Sequence, residues 1–517
     1  MFLFTWGFRF LDIINYLGPG TSYEKWVKAY ECKTEKSWFP YEWFDTPEKL
    51  DFPGLPKYEW YLKLKREYVL TRDQWEGCQS LFKEKSMRTF ADWLRTYNNL
   101  DVALEKMRTF YSEKGIDILK DAVSIPGVSL HYLLRGAVER GAELYGPCKE
   151  AYEMLKKGVV GGPSLVFTRY HEVDVTRIRS HRFAEPRLCK NIVGNDANAL
   201  YLSTMLGEMP YEKETVVHYN DESQAAPVLT HRLKEGNWFG FAEVDIEIPK
   251  PLYSKFEEMC PFFYNKEVPV EAVPKHMLDY LRRTGRNRGN GKKIVEALSA
   301  ERLLVYAPLL LWYVNHGAVV TKVYRTIDYQ PAKIFPWFME QVTEACRTGD
   351  VEKSKALLAE VFKLLGNSGY GKLIEALEWQ TNVIYTKDEK VVYRALRSAC
   401  FSDLDKIGQV YELQSRKPRV TIRRPFQVGI AVYQLAKLRM LEFYYNFLDR
   451  YFDRRDFELI QMDTDSFYMA ISGERLEDIV RPELKQEFEV QKNQWLAWDK
   501  WSGRTLISLS LSARAAG

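Results

Sequence analysis

Glu458-Leu459-Ile460-Gln461-Met462-Asp463-Thr464-Asp465-Ser466-Phe467-Tyr468-Met469-Ala470 reads as strand, acidic turn, strand. A bare Asp-x-Asp in a hairpin turn is ordinary turn chemistry. Here apolar strand residues flank Asp463 and Asp465 on both sides. Carboxylates between strands of that kind are costly to bury unless a cation or water neutralises them, and oxygen ligands of this type suit Mg²⁺.

A second acidic position follows the short apolar run Ile192-Val193-Gly194, in Asn195-Asp196-Ala197-Asn198-Ala199-Leu200-Tyr201-Leu202. Asp196 alone reads as the N-cap of a helix from Ala199 to Met205. Joined to the acidic hairpin, it provides strand-end carboxylates that can hold two ions roughly 4 Å apart, the clamp used for in-line phosphoryl displacement. The third element is Lys363-Leu364-Leu365-Gly366-Asn367-Ser368-Gly369-Tyr370-Gly371-Lys372. Helical spacing sets Lys363, Asn367 and Tyr370 on one face, a cation, an amide and an aromatic ring suited to a nucleoside triphosphate. The alternative is a helix capped at Gly369 or Gly371 with its lysine solvated.

In this order and spacing, D-x-x-x-L-Y from Asp196, K-x-x-x-N-S-x-Y-G from Lys363 and D-T-D-S from Asp463 resemble the three polymerase motifs of the B family of DNA polymerases. Asn367-Ser368, Tyr370-Gly371 and the long stretches between motifs resemble its protein-primed branch, found in bacteriophages, linear plasmids, adenovirus-like elements and Polinton-type transposons. The resemblance implies an α+β fold: a right-hand polymerase palm and fingers with an antiparallel palm sheet, preceded by the C-terminal part of a ribonuclease H-like exonuclease domain, with the thumb missing. It implies a DNA-directed DNA polymerase that adds deoxynucleotides to a 3′-hydroxyl. Two Mg²⁺ ions, replaceable by Mn²⁺, would be the cofactors; template and primer DNA, deoxynucleoside triphosphates and a terminal protein would be the partners.

The same resemblance allots roles. Asp196 and Asp465 are the principal metal ligands, with Asp463 more peripheral. Tyr201 lies against the sugar and excludes ribonucleotides, Lys363 meets the phosphates, and Asn367 and Tyr370 meet the nascent base pair. Tyr97-Asn98-Asn99-Leu100-Asp101 is similar to the third exonuclease motif, with Asp101 as ligand and Tyr97 positioning water. As a bare pattern it is equally an amphipathic helix with an exposed Asp. The matching upstream D-x-E and Asp motifs are not found, since Asp12 in Phe10-Leu11-Asp12-Ile13 fits neither. No 3′→5′ exonuclease activity is therefore expected, because one carboxylate cannot build a two-metal site.

The glycine cluster Gly158, Gly161 and Gly162, ending in Pro163, marks a linker. It resembles the family's template-contacting Y-x-G-G element, with Val159 in place of the tyrosine. The expected organisation is an exonuclease remnant over 1–150, a linker over 151–185, and palm over 186–335 with an insertion at about 249–315. Fingers follow over 336–375, a second insertion over 376–424, palm with the acidic hairpin over 425–490, and a truncated or frameshifted tail over 491–517. In such enzymes one insertion gives processivity and contacts the terminal protein, and the other gives strand displacement.

Within those limits, 49–151 reads as mainly helical, and Phe241 to Ile248 as a half-buried strand with Glu243, Asp245 and Glu247 outward. Arg282 to Lys293 reads as a mobile basic loop leading into a helix from Ile294 to Tyr313, and a further helix is expected from about Asp350 to Leu365. Strands are expected at Val383 to Tyr385, Val391 to Tyr393 and Val420 to Ile422, and a helix from Val428 to about Tyr451. Arg416, Lys417, Arg419, Arg423 and Arg424 could grip duplex phosphates without reading sequence, or could simply be a solvated face; Arg286, Arg288, Lys292 and Lys293 pose the same choice.

Composition sets the outer limits. The 517 residues exceed one ordinary domain, and 46% hydrophobic and 14% aromatic content is globular. The net charge of +4 predicts no polyanion partner by itself. Seven scattered cysteines without a C-x-x-C pair argue against a disulfide framework or zinc site. The longest apolar run, Leu303 to Val314, is short for a membrane span and reads as a buried helix. An intracellular, soluble protein without a signal peptide is expected, its compartment open. The rival class is a catalytically inactive, DNA-binding remnant of a mobile-element polymerase. Another two-metal enzyme, a nuclease or reverse transcriptase, is disfavoured by the Lys363 helix.

Overall fold

The structure, a computed structural model, describes residues 3–5, 8–10, 13–16, 38–41, 43–61, 70–100, 104–179, 185–197, 199–286, 292–352, 356–498 and 505–507. Asp101, Asn198, Arg288 and most of the tail after Trp498 lie outside them. The chain divides into two units, one from Met1–Arg135 with Glu340–Gly369, the other from Gly136–Met339 with Tyr370–Gly517.

The first unit is mainly helical, as expected. Helix Arg72–Glu84 starts at a capping box in which Thr71 and Gln74 satisfy each other's backbone N–H groups. One of its cores gathers Trp43, Leu55, Cys78, Phe82, Phe90 and Trp93; another gathers Met107, Tyr111, Ile116, Ile118, Val128 and Leu365. The second core uses the long helix Ala356–Leu373. That helix runs through Gly366, Gly369 and Gly371, so neither Gly369 nor Gly371 caps it, contrary to the alternative above. Gly369 instead permits close packing: a Cβ there would lie 2.6 Å from the Ser129 hydroxyl.

The second unit contains the sheets that carry the acidic residues. One runs, in spatial order, Leu496–Trp498, Thr505–Ile507, Asn191–Ala197, Ser466–Ile471, Phe457–Asp463 and Ser164–Val166. All neighbours are antiparallel except Thr505–Ile507, which runs parallel to Asn191–Ala197. A second antiparallel sheet has the order Met209–His218, Val319–Ala332, Gly240–Glu247, Ser299–Tyr306. The fold is thus α+β with antiparallel sheets. The helix Phe426–Glu442, continued by a π-helical turn at Phe443–Leu448, buries residues all round its circumference, as a helix enclosed by other elements must. It joins Leu200, Phe457, Met462, Phe467 and Met469 in one core.

Several expectations need correction. Ile294 to Tyr306 is not helical: Lys292–Ala297 pairs with Phe262–Glu267, and Ser299–Tyr306 pairs with Gly240–Glu247. The helix begins at Ala307, where Pro308 occupies the first turn and its missing N–H costs nothing. Arg282 lies in the last turn of the helix Lys275–Thr284 rather than in a loop, and Lys292 and Lys293 begin a strand. Val391 to Tyr393 is helical, because Asp388 caps Glu389–Leu396 by accepting from the Lys390 N–H at 2.8 Å. Thr381–Thr386, Val410–Arg416 and Phe401–Ile407 form the expected β segment, while Val420 to Ile422 joins no strand. The expected helix from Asp350 instead forms the end of Pro336–Val351 and the start of Ala356–Leu373.

Glu243 is the largest departure from the half-buried pattern. It is 1% exposed and receives Arg325 Nε and Nη2 at 3.0 and 2.8 Å. Lys157 and Arg302 stand 3.5 and 3.6 Å away. A carboxylate this deep persists because cations from distant segments surround it. Among the described residues no helix is long and apolar enough to cross a membrane.

Candidate functional site

The acidic hairpin forms as strand, acidic turn and strand, as expected. Phe457–Asp463 and Ser466–Ile471 pair up to Asp463 opposite Ser466, leaving Thr464 and Asp465 as the turn. On its other side Ser466 stands opposite Asp196. Asp196, Ser466 and Asp463 therefore occupy one row across three adjacent strands, where in-register side chains share a face. The Asp465 carbonyl accepts the Ala197 N–H at 2.7 Å, tying the turn to the Asp196 strand.

Asp196 does not cap the next helix. Leu200–Thr204 begins after Ala199, which adopts a left-handed backbone conformation, and no side chain caps it. The carboxylate is left exposed beside the hairpin. Burial, followed by the charges of Asp196 and Asp463, pushes the Asp465 carboxyl above its ordinary range. No ion pair involves any of the three acids among the described residues. Nor do three His, Cys, Asp or Glu side chains there converge closely enough to enclose an ion by themselves. Mutually repelling carboxylates without a cation are a donor set that fits Mg²⁺, which is commonly bound by one or two carboxylates with water and substrate phosphates completing its shell.

Beside the acids lies an aromatic cluster. Tyr201 stacks on Tyr370 with ring centroids 4.5 Å apart and planes 16° from parallel. Tyr433, from the helix Phe426–Glu442, stands edge-on to both, at 5.5 and 5.9 Å. Burial pushes the Tyr370 hydroxyl up to about 12, with smaller contributions from Tyr433 and from the Asp465 charge. Burial likewise raises Tyr201, which also feels Tyr370, Tyr433 and Asp465. Both rings thus sit within electrostatic reach of the acidic turn. Sequence reasoning missed Tyr433, which belongs to no motif; its ring contacts arise only in the folded chain.

Other expected residues fare differently. Lys363 and Asn367 are exposed one helical turn apart on Ala356–Leu373, in the first unit, and Tyr370 follows on the same helix. Gly162 lies against Thr464 of the acidic turn, and with Gly161, Pro163, Tyr201 and Tyr433 it borders a cavity of about 20 Å³. Arg424 is engaged within the protein, donating to the Lys372 carbonyl and to Glu375, each at 2.8 Å. Lys417 donates to Gln380, and Arg416 lies over the Trp379 ring. Arg419 and Arg423 are exposed, with no ion pair among the described residues. Tyr97 is a core residue: it is buried, its hydroxyl bonds that of Tyr41 at 2.7 Å, and its ring packs on Phe39. Its expected partner Asp101 lies outside the described residues.

Residues 8–439 match the family model of DNA polymerase type B, organellar and viral. Asp196, Tyr201, Lys363, Asn367 and Tyr370 fall within the match, and the acidic hairpin follows it. Among solved structures, phi29 DNA polymerase complexed with primer-template DNA and incoming nucleotide substrates is 12% identical, with a TM-score of 0.44, over 92% of this chain and 62% of that one. An orthorhombic crystal form of phi29 DNA polymerase gives 12% identity and a TM-score of 0.41 over 86% and 61%. The complex of the same polymerase with single-stranded DNA gives 12% and 0.42 over 92% and 61%. The chain thus spans about three fifths of the length of these polymerases. Comparison with curated proteins finds no match. With a family match over most of its length, the chain belongs to the type B DNA polymerases of organelles and viruses.

Proposed function

We infer that this chain is a DNA-directed DNA polymerase, extending a primer 3′-hydroxyl with deoxynucleotides on a DNA template in replication. The single observation that supports this most is the meeting of Asp196 with the Asp463-Thr464-Asp465 turn, with no basic side chain paired to these acids among the described residues, beside the stacked rings of Tyr201 and Tyr370. Asp196 and Asp465 are the residues to hold two magnesium ions, with Asp463 in support. When bound, the ions neutralise charge that develops on the transferring phosphoryl group.

The chain's own residues bind and orient. Tyr201 packs against the deoxyribose and leaves no room for a 2′-hydroxyl, and Tyr370 offers its ring to the nascent base pair with Asn367. Lys363 meets the triphosphate. In this reading the sheet that carries Asp196 and Asp463 belongs to the palm, the Lys363 helix to the fingers, and the first helices to an exonuclease domain. Asn367-Ser368 and Tyr370-Gly371 support protein priming, with a terminal protein as partner of the insertion at about 249–315. The sheet within 376–424 is the candidate for strand displacement. Arg419 and Arg423, exposed and without an ion pair among the described residues, are candidates for DNA phosphates.

The test is template-directed addition of one nucleotide to primed DNA, with each deoxynucleotide offered singly. Addition of only the complementary nucleotide supports the reading. A folded chain that adds none with Mg²⁺ or Mn²⁺ overturns it in favour of an inactive DNA-binding remnant.

A further inference from the structure

The acidic turn is strained and is held from two sides. Thr464 has φ of +56°, a left-handed conformation that is unfavourable for a β-branched residue. On one side, the Asp465 carbonyl is fixed by the Ala197 N–H. On the other, the chain leaving the glycine linker runs antiparallel to the hairpin, with Ser164 opposite Asp463 and Leu165 opposite Met462. Just before that pairing, the Pro163 carbonyl accepts the Thr464 N–H at 2.8 Å.

Gly162 completes this contact. A Cβ at position 162 would lie 2.3 Å from Thr464 Oγ1, 2.5 Å from Cγ2 and 2.9 Å from Cβ. These are atoms of a short, stiff side chain, so any side chain at 162 must push the turn itself. The glycine is required by the approach to Thr464.

We propose that the Gly162-Pro163 corner is a positioning element for the metal site: the Pro163 carbonyl holds the Thr464 backbone, an approach that the threonine side chain allows only to glycine at 162, and so keeps Asp465 alongside Asp196. The idea rests on the polymerase reading for its catalytic consequence, but its structural content concerns only the turn. It differs from a template contact, which would require glycine for access by DNA and would not involve Thr464.

The test uses the full chain with Gly162→Ala, Thr464→Gly and the double variant. Thr464→Gly removes the obstructing atoms and suits a positive φ. Two readouts are taken: Mn²⁺ binding by electron paramagnetic resonance without DNA or nucleotide, and kcat and KM for nucleotide addition. Gly162→Ala is expected to weaken Mn²⁺ binding about tenfold or more and to lower kcat by about 10²-fold, the scale of a 1 Å misplacement. KM for primed DNA should be unchanged, and the double variant should regain both properties.

A rise in KM for DNA with Mn²⁺ binding intact, or a double variant no better than Gly162→Ala, overturns the proposal. If Gly162→Ala does not fold, Thr464→Gly and the double variant must bind Mn²⁺ alike; a further loss with the threonine gone also overturns it. If the wild-type chain adds no nucleotide yet shows the loss and rescue of Mn²⁺ binding, the clamp stands and the polymerase reading falls.

Discussion

Replacing Tyr433 with leucine should damage sugar discrimination more than it damages the fold. Tyr433 holds the Tyr201–Tyr370 stack by two edge-on contacts, at centroid distances of 5.5 and 5.9 Å and interplanar angles of 64° and 72°. Contacts of this kind contribute about 0.5–1.5 kcal/mol each beyond area burial. Losing both removes roughly 1–3 kcal/mol of restraint on the ring that would face the sugar. At about 1.4 kcal/mol per tenfold, the ratio of kcat/KM for deoxynucleotides over ribonucleotides should fall roughly 5- to 150-fold. Tyr433→Phe keeps both ring edges and should retain the ratio. Single-nucleotide incorporation with matched deoxy- and ribonucleoside triphosphates measures it, with Tm as a control on folding. A leucine variant that keeps its discrimination while losing stability would contradict this role for Tyr433. So would a phenylalanine variant as poor as the leucine one, since the hydroxyl rather than the ring edge would then matter.

Other outcomes follow from buried charge. Arg325→Met deprives buried Glu243 of its two shortest hydrogen bonds and should cost about 3–5 kcal/mol in denaturant unfolding, whereas Glu243→Leu with Arg325→Met should recover most of it; a single variant costing under ~1 kcal/mol contradicts this. Burial, opposed by the Cys260 N–H, pushes the Glu296 carboxyl from 4.5 up to about 6. Because its folded value is raised, the stability it contributes is complete below pH 4.5 and is lost as pH rises through about 6. Glu296→Gln should therefore match wild type near pH 4.5 and exceed it by about 1 kcal/mol at pH 7.5, after discounting for partial exposure. Unfolding free energies that stay equal across that range would show that Glu296 is not the group responsible.

The acidic hairpin and the strand before Asp196 were legible because each is a short alternating or apolar run closed by turn chemistry, information held within a few residues. The Lys363 helix was legible from spacing, although its glycines suggested caps; Gly369 instead makes room for the Ser129 side chain, distant in sequence. Ile294 to Tyr306 misled because an apolar run of strand length does not distinguish strand from buried helix. The deciding interactions are pairings with Phe262–Glu267 and Gly240–Glu247. Glu243 looked outward by alternation, and its cations Lys157, Arg302 and Arg325 come from other segments. Tyr433 and the Gly162–Thr464 contact likewise exist only in three dimensions.

If Asp196 and Asp465 together hold the ions for nucleotide addition, Mg²⁺-dependent primer extension compared across the wild-type chain, Asp196→Asn and Asp465→Asn is decisive. The wild type should extend the primer and both folded variants should lose extension. Extension that persists in either variant would contradict that assignment.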